Sequence, residues 1–340
     1  WQHKFSKGQK FSIQPAMPQT GSLDAPGYSF RYTGGDATYI IIPDIVMKAG
    51  CLLPYEGEAF YPASLSEPMS CIIGAFNASY HTRPGTYRHI MGIRPHGRMA
   101  ILAGVGPMGL GAIDYAVHRD IRPELLVVTD IDNNRLIRAA RLFSPEHAAE
   151  RGVKLVYANT GGITDPVKYL LEISGNKGYD DVFVFAPVKS VIEQGDAILG
   201  FDGCLNFFAG PSSTDFRAEM NFYNVHYSFT HITGTSGGNT DDMIKSLDLM
   251  SNGQINPAVM ITHVGGLDSV IPATLNLPNI PGGKKLIYTN ISLPLTALTD
   301  LPELGKNDLL FSGLNEIVSG NNFIWSVEAE KYLLANARPI

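Results

Sequence analysis

The chain has 340 residues, 44% of them hydrophobic and 17% charged, an ordinary globular balance that suggests two domains at about 150 residues each. Its 26 basic and 32 acidic residues leave a net charge of −6 with no basic stripe, the densest spot being Lys284 and Lys285, so nucleic acid is not expected as a partner. No apolar run nears the roughly 18 residues of a membrane span, and three scattered cysteines, Cys51, Cys71 and Cys204, make no disulfide framework or four-cysteine zinc lobe, so neither membrane nor oxidising compartment is expected and a cytoplasmic setting fits.

The chain opens at Trp1, without Met, inside what reads as strand and turn, which predicts that an N-terminal portion is missing. Residues 1 to about 60 are rich in Gly, Pro and short β-type runs such as "KFSIQP" and "GGDATYIIIP", which predicts a small all-β unit. Helical patterning begins only near Ser66. From about 99 to 235, short apolar strands alternate with helical segments, from "MAILAG" and "GLGAIDYAVHRD" through "LLVVTD", "NRLIRAARLF" and "DDVFVFA" to "CLNFFAG" and "YSFTHITG". That alternation predicts βαβ units and a parallel sheet with helices on both faces. A helix "DDMIKSLDLMSNG", a strand "AVMITHVGG", a helix near 267–275 and a strand "KKLIYTN" follow. Two helical pieces complete a tail from about 291 to 340, with no internal repeat.

The most informative motif is Gly104-x-Gly106-x-x-Gly109, directly after a strand and at the opening of a helix. Gly104 is expected to allow the tight turn, Gly106 to let the backbone approach a pyrophosphate, and Gly109 to let the helix pack on the strand. The helix N-terminus supplies N–H donors and positive dipole. Asp130 ends the next strand about 20 residues on, where an acid hydrogen-bonds the adenosine ribose hydroxyls. It would repel a 2′-phosphate, so NAD is favoured over NADP. The competing reading, glycines that merely permit packing, leaves this joint agreement of spacing, strand and helix unexplained.

"GTSGG" at 234–238 fits the G-x-S-x-G nucleophile pattern, with Asp248 and His263 following Ser236 in triad order. One helix and one strand are too little chain to swing a histidine back over the serine. A turn beside the nicotinamide suits its position at the end of a late sheet strand better. His263 is then expected to be a strand-end histidine bonded to backbone.

"SLSEPMSCIIGAF" sets Glu67 before Pro68 at the mouth of an apolar helix. A capping box from Ser64 to Glu67 fails, because Pro68 would fall where the first helical N–H must bond. With Ser66 as N-cap, Glu67 is the first helical residue and gains ~0.3–1 kcal/mol from the helix dipole. By pattern alone a solvated glutamate outweighs a metal ligand. Cys71, one turn on, reads as a small buried hydrophobe, and His81, His89 and His96 as surface residues of a polar linker.

Together the β-rich opening, the Glu67-Pro68 helix, the turn Gly104-Val105-Gly106-Pro107-Met108-Gly109, "VVTDIDNNRL" and "ITHVGGLDSV" resemble the medium-chain dehydrogenase/reductase family in its zinc-dependent polyol dehydrogenase branch, over about residues 1–290. The opening "QHKFSKGQKFSIQPAMPQTG" and the long tail are most similar to its sugar-phosphate members. The resemblance implies a Rossmann six-stranded α/β sheet with a GroES-like β-rich catalytic domain, its N-terminal part missing. Residues 1–68 would be partial catalytic domain, 69–237 the dinucleotide domain, and 238–340 the return to the catalytic domain with an extension. It implies hydride transfer between NAD(H) and a phosphorylated ketose or polyol, L-sorbose 1-phosphate and D-glucitol 6-phosphate, with zinc as Lewis acid, and a homodimer or homotetramer. By the same resemblance, Pro107 and Met108 lie on the pyrophosphate side, and Asp130 and Arg135 hold the adenosine ribose. Phe208, Ala209 and Gly210 line the nicotinamide ribose; Thr235, Ser236 and Gly237 cover the carboxamide. Glu67 lies at the catalytic zinc as ligand or substrate-contacting carboxylate. The branch's other ligands, a Cys and a His-Glu pair, fall upstream of the segment resembling "FSKGQKFSI" and are not in this sequence. A serine hydrolase using Ser236, a zinc-free quinone reductase-type enzyme and a non-catalytic nucleotide-binding protein are the alternatives.

Overall fold

The computed structural model describes residues 4–15, 17 and 24–340; parts of the opening segment, residues 1–3, 16 and 18–23, lie outside them. The backbone divides into two compact units, Cys71–Gly238 and a discontinuous one made of Trp1–Ser70 with Asn239–Ile340.

The unit 71–238 is built on six parallel strands, β1 Arg98–Leu102, β2 Leu125–Asp130, β3 Lys154–Asn159, β4 Tyr179–Val184, β5 Leu199–Phe207 and β6 His231–Gly234. Their spatial order is β3-β2-β1-β4-β5-β6. Met99 to Leu102 and Leu126 to Val128 are buried at every successive position, because a sheet covered on both faces needs apolar residues in unbroken runs rather than alternation. Helices α1 Pro107–His118, α2 Asn133–Leu142, α3 Pro145–Glu150, α4 Pro166–Ile173 and α5 Lys189–Ala197 return the chain between strands. The order reverses at β1, which makes the carboxyl edge beside β1 and β4 the place where open α/β sheets bind ligands.

Ahead of β1, a small hairpin pairs Tyr80–Thr82 with His89–Met91. His89 and His96 are exposed as expected, but His81 is buried at 5% exposure. Its Nδ1 lies 2.9 Å from the Asp202 carbonyl and its Nε2 3.2 Å from Asp181 Oδ1. Asp202 also receives the Thr82 N–H, the Arg94 guanidinium at 2.6 Å and His231 Nε2 at 2.8 Å. The apparent polar linker is thus half of an ionic clasp, whose other half lies about a hundred residues further on.

In the other unit, Lys10–Ile13 pairs antiparallel with Leu52–Tyr55. Strand Ile261–Gly266 lies between Lys284–Tyr288 and Thr296–Ala297. The N-terminal part is not all β. "GGDATYIIIP" forms no strand, since Thr33 and Ile41 close a loop on each other (Thr33 Oγ1 to Ile41 O, 2.6 Å) with Tyr39 and Ile41 left exposed. Helical structure starts at Asp44–Lys48 and Tyr61–Ser64, well ahead of Ser66. The core joins Tyr61 and Leu65 to Trp325, Leu314, Val318 and Leu333, so helices Leu309–Gly320 and Val327–Asn336 are integral to it. No helix among the described residues is long and apolar enough to cross a membrane.

Candidate active site

Sheet register sets the site. Leu102 pairs with Val184, Val184 with Phe207 and Phe207 with Gly234, so the residues that follow β1, β4, β5 and β6 leave the sheet side by side at its carboxyl edge. The glycine turn, Phe208–Gly210 and Thr235–Gly237 are brought together there, and Asp130 ends the neighbouring strand β2.

Within the turn Gly104 does different work from that expected. The left-handed residue is Ala103, at φ 52°, held by its N–H to Thr129 Oγ1 and by the Gly104 N–H to the Thr129 carbonyl. Gly104 is required for space, since a Cβ there would stand 2.4 Å from Ile101 Cγ2. A Cβ on Gly109 would stand 2.0 Å from the Gly104 carbonyl oxygen. At Gly106 a Cβ would meet nothing within 4 Å, so the bareness of that backbone serves no contact within the protein. Gly106 is the N-cap of α1, with no side-chain cap. Its carbonyl takes the first helical bond from Leu110, and the donors of the first turn point outward as in an anion cradle. Pro107 and Met108, half-buried, open the helix.

Asp130 Oδ1 accepts the Ile131 and Asp132 N–H groups at 2.8 and 3.0 Å, which orients the carboxylate at the strand end. Arg135 is exposed on α2 and faces Asp132 at 3.7 Å. Phe208 stacks on Phe185 with ring centres 4.5 Å apart, while the N–H groups of Phe208 and Ala209 both donate to the Val184 carbonyl. Gly210 is exposed. Thr235 Oγ1 is buried without a partner among the described residues, an orphan that a bound polar group would satisfy. Ser236 is exposed, and Gly237 takes a φ of 82° that favours glycine.

The Asp–His half of a serine triad is not built. Asp248 is exposed on its helix, and His263 Nδ1 lies 2.8 Å from Thr262 Oγ1, a side-chain partner inside the strand where backbone was expected. Burial and the nearby Lys285 lower the His263 pKa.

Glu67 lies in the discontinuous unit, half-buried in helix Ser66–Ala78. The first helical bond runs from Met69 N–H to the Leu65 carbonyl, so Leu65 is the N-cap and Ser66 is already helical. Glu67 is therefore second and Pro68 third, still within the turn whose N–H groups have no helical acceptor. Ser64 and Ser66 do not cap, because their hydroxyls donate backward to the Tyr61 and Ala63 carbonyls. Cys71 is half-buried, more open than expected. Sequence reasoning read His81 as a surface residue and did not single out Glu330, since both depend on partners about a hundred or more positions away.

No family model matches the chain. It is 53% identical over 331 residues to mannitol-1-phosphate 5-dehydrogenase of Aliivibrio fischeri, covering 97% of this chain and 78% of that protein. It is 47% identical over 342 residues to L-sorbose 1-phosphate reductase of Klebsiella pneumoniae, covering 100% and 80%. The chain belongs to the medium-chain dehydrogenase/reductase family, with these sugar-phosphate enzymes. Its fold matches that of 2R,3R-butanediol dehydrogenase from Bacillus subtilis with a TM-score of 0.63, at 18% identity over 84% of this chain and 76% of that one. As a medium-chain dehydrogenase/reductase the protein is an oxidoreductase, and the carboxyl edge of its six-stranded sheet is the candidate nucleotide site.

Proposed function

We propose that this protein interconverts a phosphorylated polyol and the matching ketose with NAD(H) as the redox partner. The observation that carries the reading is the uncovered backbone at Gly106, with the α1 donors behind it and Asp130 on the adjoining strand. Those residues fit a dinucleotide. Gly104 to Gly109, with Pro107 and Met108, would cradle the pyrophosphate, and Asp130 with Arg135 would take the adenosine ribose hydroxyls. Phe208, Ala209 and Gly210 would flank the nicotinamide ribose. Thr235, Ser236 and Gly237 would meet the carboxamide, with the Thr235 hydroxyl finding its partner there. A bound nicotinamide supplies the hydride acceptor or donor. The relatives' names support a hexitol phosphate, with L-sorbose 1-phosphate and D-glucitol 6-phosphate as the pair first to be tried and mannitol 1-phosphate as the competitor.

Zinc is a different matter. Among the described residues no group of three or more His, Cys, Asp or Glu side chains could hold a metal ion, so the residues present do not fit the ion and no step is derived through it. Glu67 enters the proposal as a carboxylate on the substrate side.

The test follows NADH absorbance in the full-length protein, with and without added zinc, against L-sorbose 1-phosphate, mannitol 1-phosphate and unphosphorylated hexitols. Turnover confined to the phosphorylated compounds is the expected result. No turnover of any of them would remove the enzymatic reading while leaving nucleotide binding to be measured by fluorescence.

A further inference from the structure

Helix Tyr61–Ser64 starts at Phe60, whose side chain cannot cap it. The missing acceptor comes from the other end of the chain. Glu330, on helix Val327–Asn336 and only 2% exposed, accepts the Phe60 N–H on Oε1 and the Tyr61 N–H on Oε2, the latter at 3.0 Å. Oε2 also accepts the Tyr288 hydroxyl at 2.8 Å, and that hydroxyl in turn accepts Trp325 Nε1–H at 2.9 Å. A buried carboxylate is costly unless donors converge on it, and here three do. A leucine would fill the same volume but leave the Phe60 and Tyr61 N–H groups and the Tyr288 hydroxyl without this acceptor, so the carboxylate is placed for the cap rather than for packing.

The capped turn runs straight into the helix of Glu67. Tyr61 O accepts Leu65 N–H at 3.1 Å, and Leu65 O accepts Met69 N–H at 3.1 Å, with Glu67 enclosed by that last bond. Ser12 and Ser66 hydroxyls both hold the Ala63 carbonyl between these links. We infer that Glu330 is a positioning residue: by capping Tyr61–Ser64 it sets where the Glu67 carboxylate stands, and the C-terminal extension exists in part to deliver it. The inference rests on the reading that Glu67 serves the reaction.

The test compares Glu330→Gln, Glu330→Asp and, as a control in the same core, Val318→Ala, which is fully buried and makes no part of the cap. In the full-length protein, Glu330→Gln is expected to speed amide exchange in peptides covering 60–62 and 66–72 and to lower kcat about tenfold. NADH affinity should stay within about twofold of the parent. Glu330→Asp, which keeps the charge but shortens the reach, should fall between, and it replaces the glutamine variant if that one does not fold. Val318→Ala should lower the melting temperature without changing kcat. In a Glu67→Gln background the effect of Glu330→Gln on kcat should shrink below about twofold, since coupled residues are not additive. Independent, multiplying losses would overturn the inference, as would a kcat loss in Val318→Ala equal to that in Glu330→Gln. If the parent turns over no sugar phosphate, the proposed function fails by itself. Exchange then still decides: loosening at 60–62 that stops short of 66–72 overturns positioning.

Discussion

Replacing Gly106 with alanine separates fold from cofactor binding. Gly106 has φ −72° and ψ 175°, a conformation alanine adopts freely, and its new methyl would meet nothing within 4 Å. Losing glycine at an N-cap costs about 0.5–1 kcal/mol, while the stiffer unfolded chain returns about 0.4–1 kcal/mol. The net change should stay within about 1 kcal/mol, or ~2–4 °C in Tm. The methyl would nevertheless occupy the space a pyrophosphate needs to reach the α1 donors, so NADH affinity should fall about 100-fold, equivalent to ~2.7 kcal/mol. Gly109→Ala makes the opposite case. Its Cβ would lie 2.0 Å from the Gly104 carbonyl oxygen, an overpacking against backbone that should cost about 3 kcal/mol and lower Tm by ~6–12 °C. Thermal unfolding of the cofactor-free protein and fluorescence titration with NADH read the two effects separately. A Gly106→Ala protein that binds NADH as tightly as the parent, or unfolds as early as Gly109→Ala, would refute the division of labour.

Three further outcomes follow from the geometry. Asp130→Ser, which keeps a turn-forming side chain but removes the charge, should shift the NAD-to-NADP ratio of kcat/KM toward NADP by about tenfold; an unchanged ratio would show that Asp130 only shapes its turn. Burial disfavours a charged His81, yet the Asp181 carboxylate and the Asp202 carbonyl outweigh it and hold the His81 pKa above its ordinary value; burial lifts Asp181 likewise. The folded pair therefore keeps a proton that the unfolded chain gives up near pH ~6.5. Its stabilisation is complete below that pH and is lost as pH rises through the higher folded value, so parent Tm should fall more steeply above about pH 6.5 than that of His81→Gln, and parallel curves would refute the pairing. Asp202→Asn preserves tolerance for the left-handed backbone at φ 58° but removes the charge gripped by Arg94 and His231, and should cost about 2–3 kcal/mol in urea unfolding; a loss under about 1 kcal/mol would rank the clasp with ordinary exposed pairs.

What the sequence disclosed follows the range of the forces involved. Most of the six strands were legible because each is a short apolar run closed by turn residues, and the glycine turn because close packing at Gly104 and Gly109 needs absent side chains at fixed spacing. Pro68 excluded one capping frame correctly, since a missing N–H is a local fact. The true N-cap, Leu65, escaped because the turn before it is already helical, held at Tyr61 by Glu330 from 269 positions away. His81 looked like solvent-facing linker for the same reason: neither Asp181 nor Asp202 can be assigned to it without the sheet that brings them under the hairpin. "GGDATYIIIP" has strand composition but no neighbouring strand among the described residues, and β propensity without a partner leaves a loop.

The split of the Glu67-bearing unit also dictates an order of assembly. Tyr61 and Leu65 pack with residues between Ala258 and Ala337, so the segment that ends at Ser70 leaves the ribosome with that shared core still unmade. The segment 71–238 carries its own core and can close while the rest is being translated, since domains fold as units during synthesis. Until Trp325 and Glu330 emerge, the apolar faces around Tyr61 and Leu65 wait uncovered. Premature termination between residue 238 and Trp325 would thus yield a well-formed 71–238 unit attached to an adhesive, unfinished one, a product that quality control must clear.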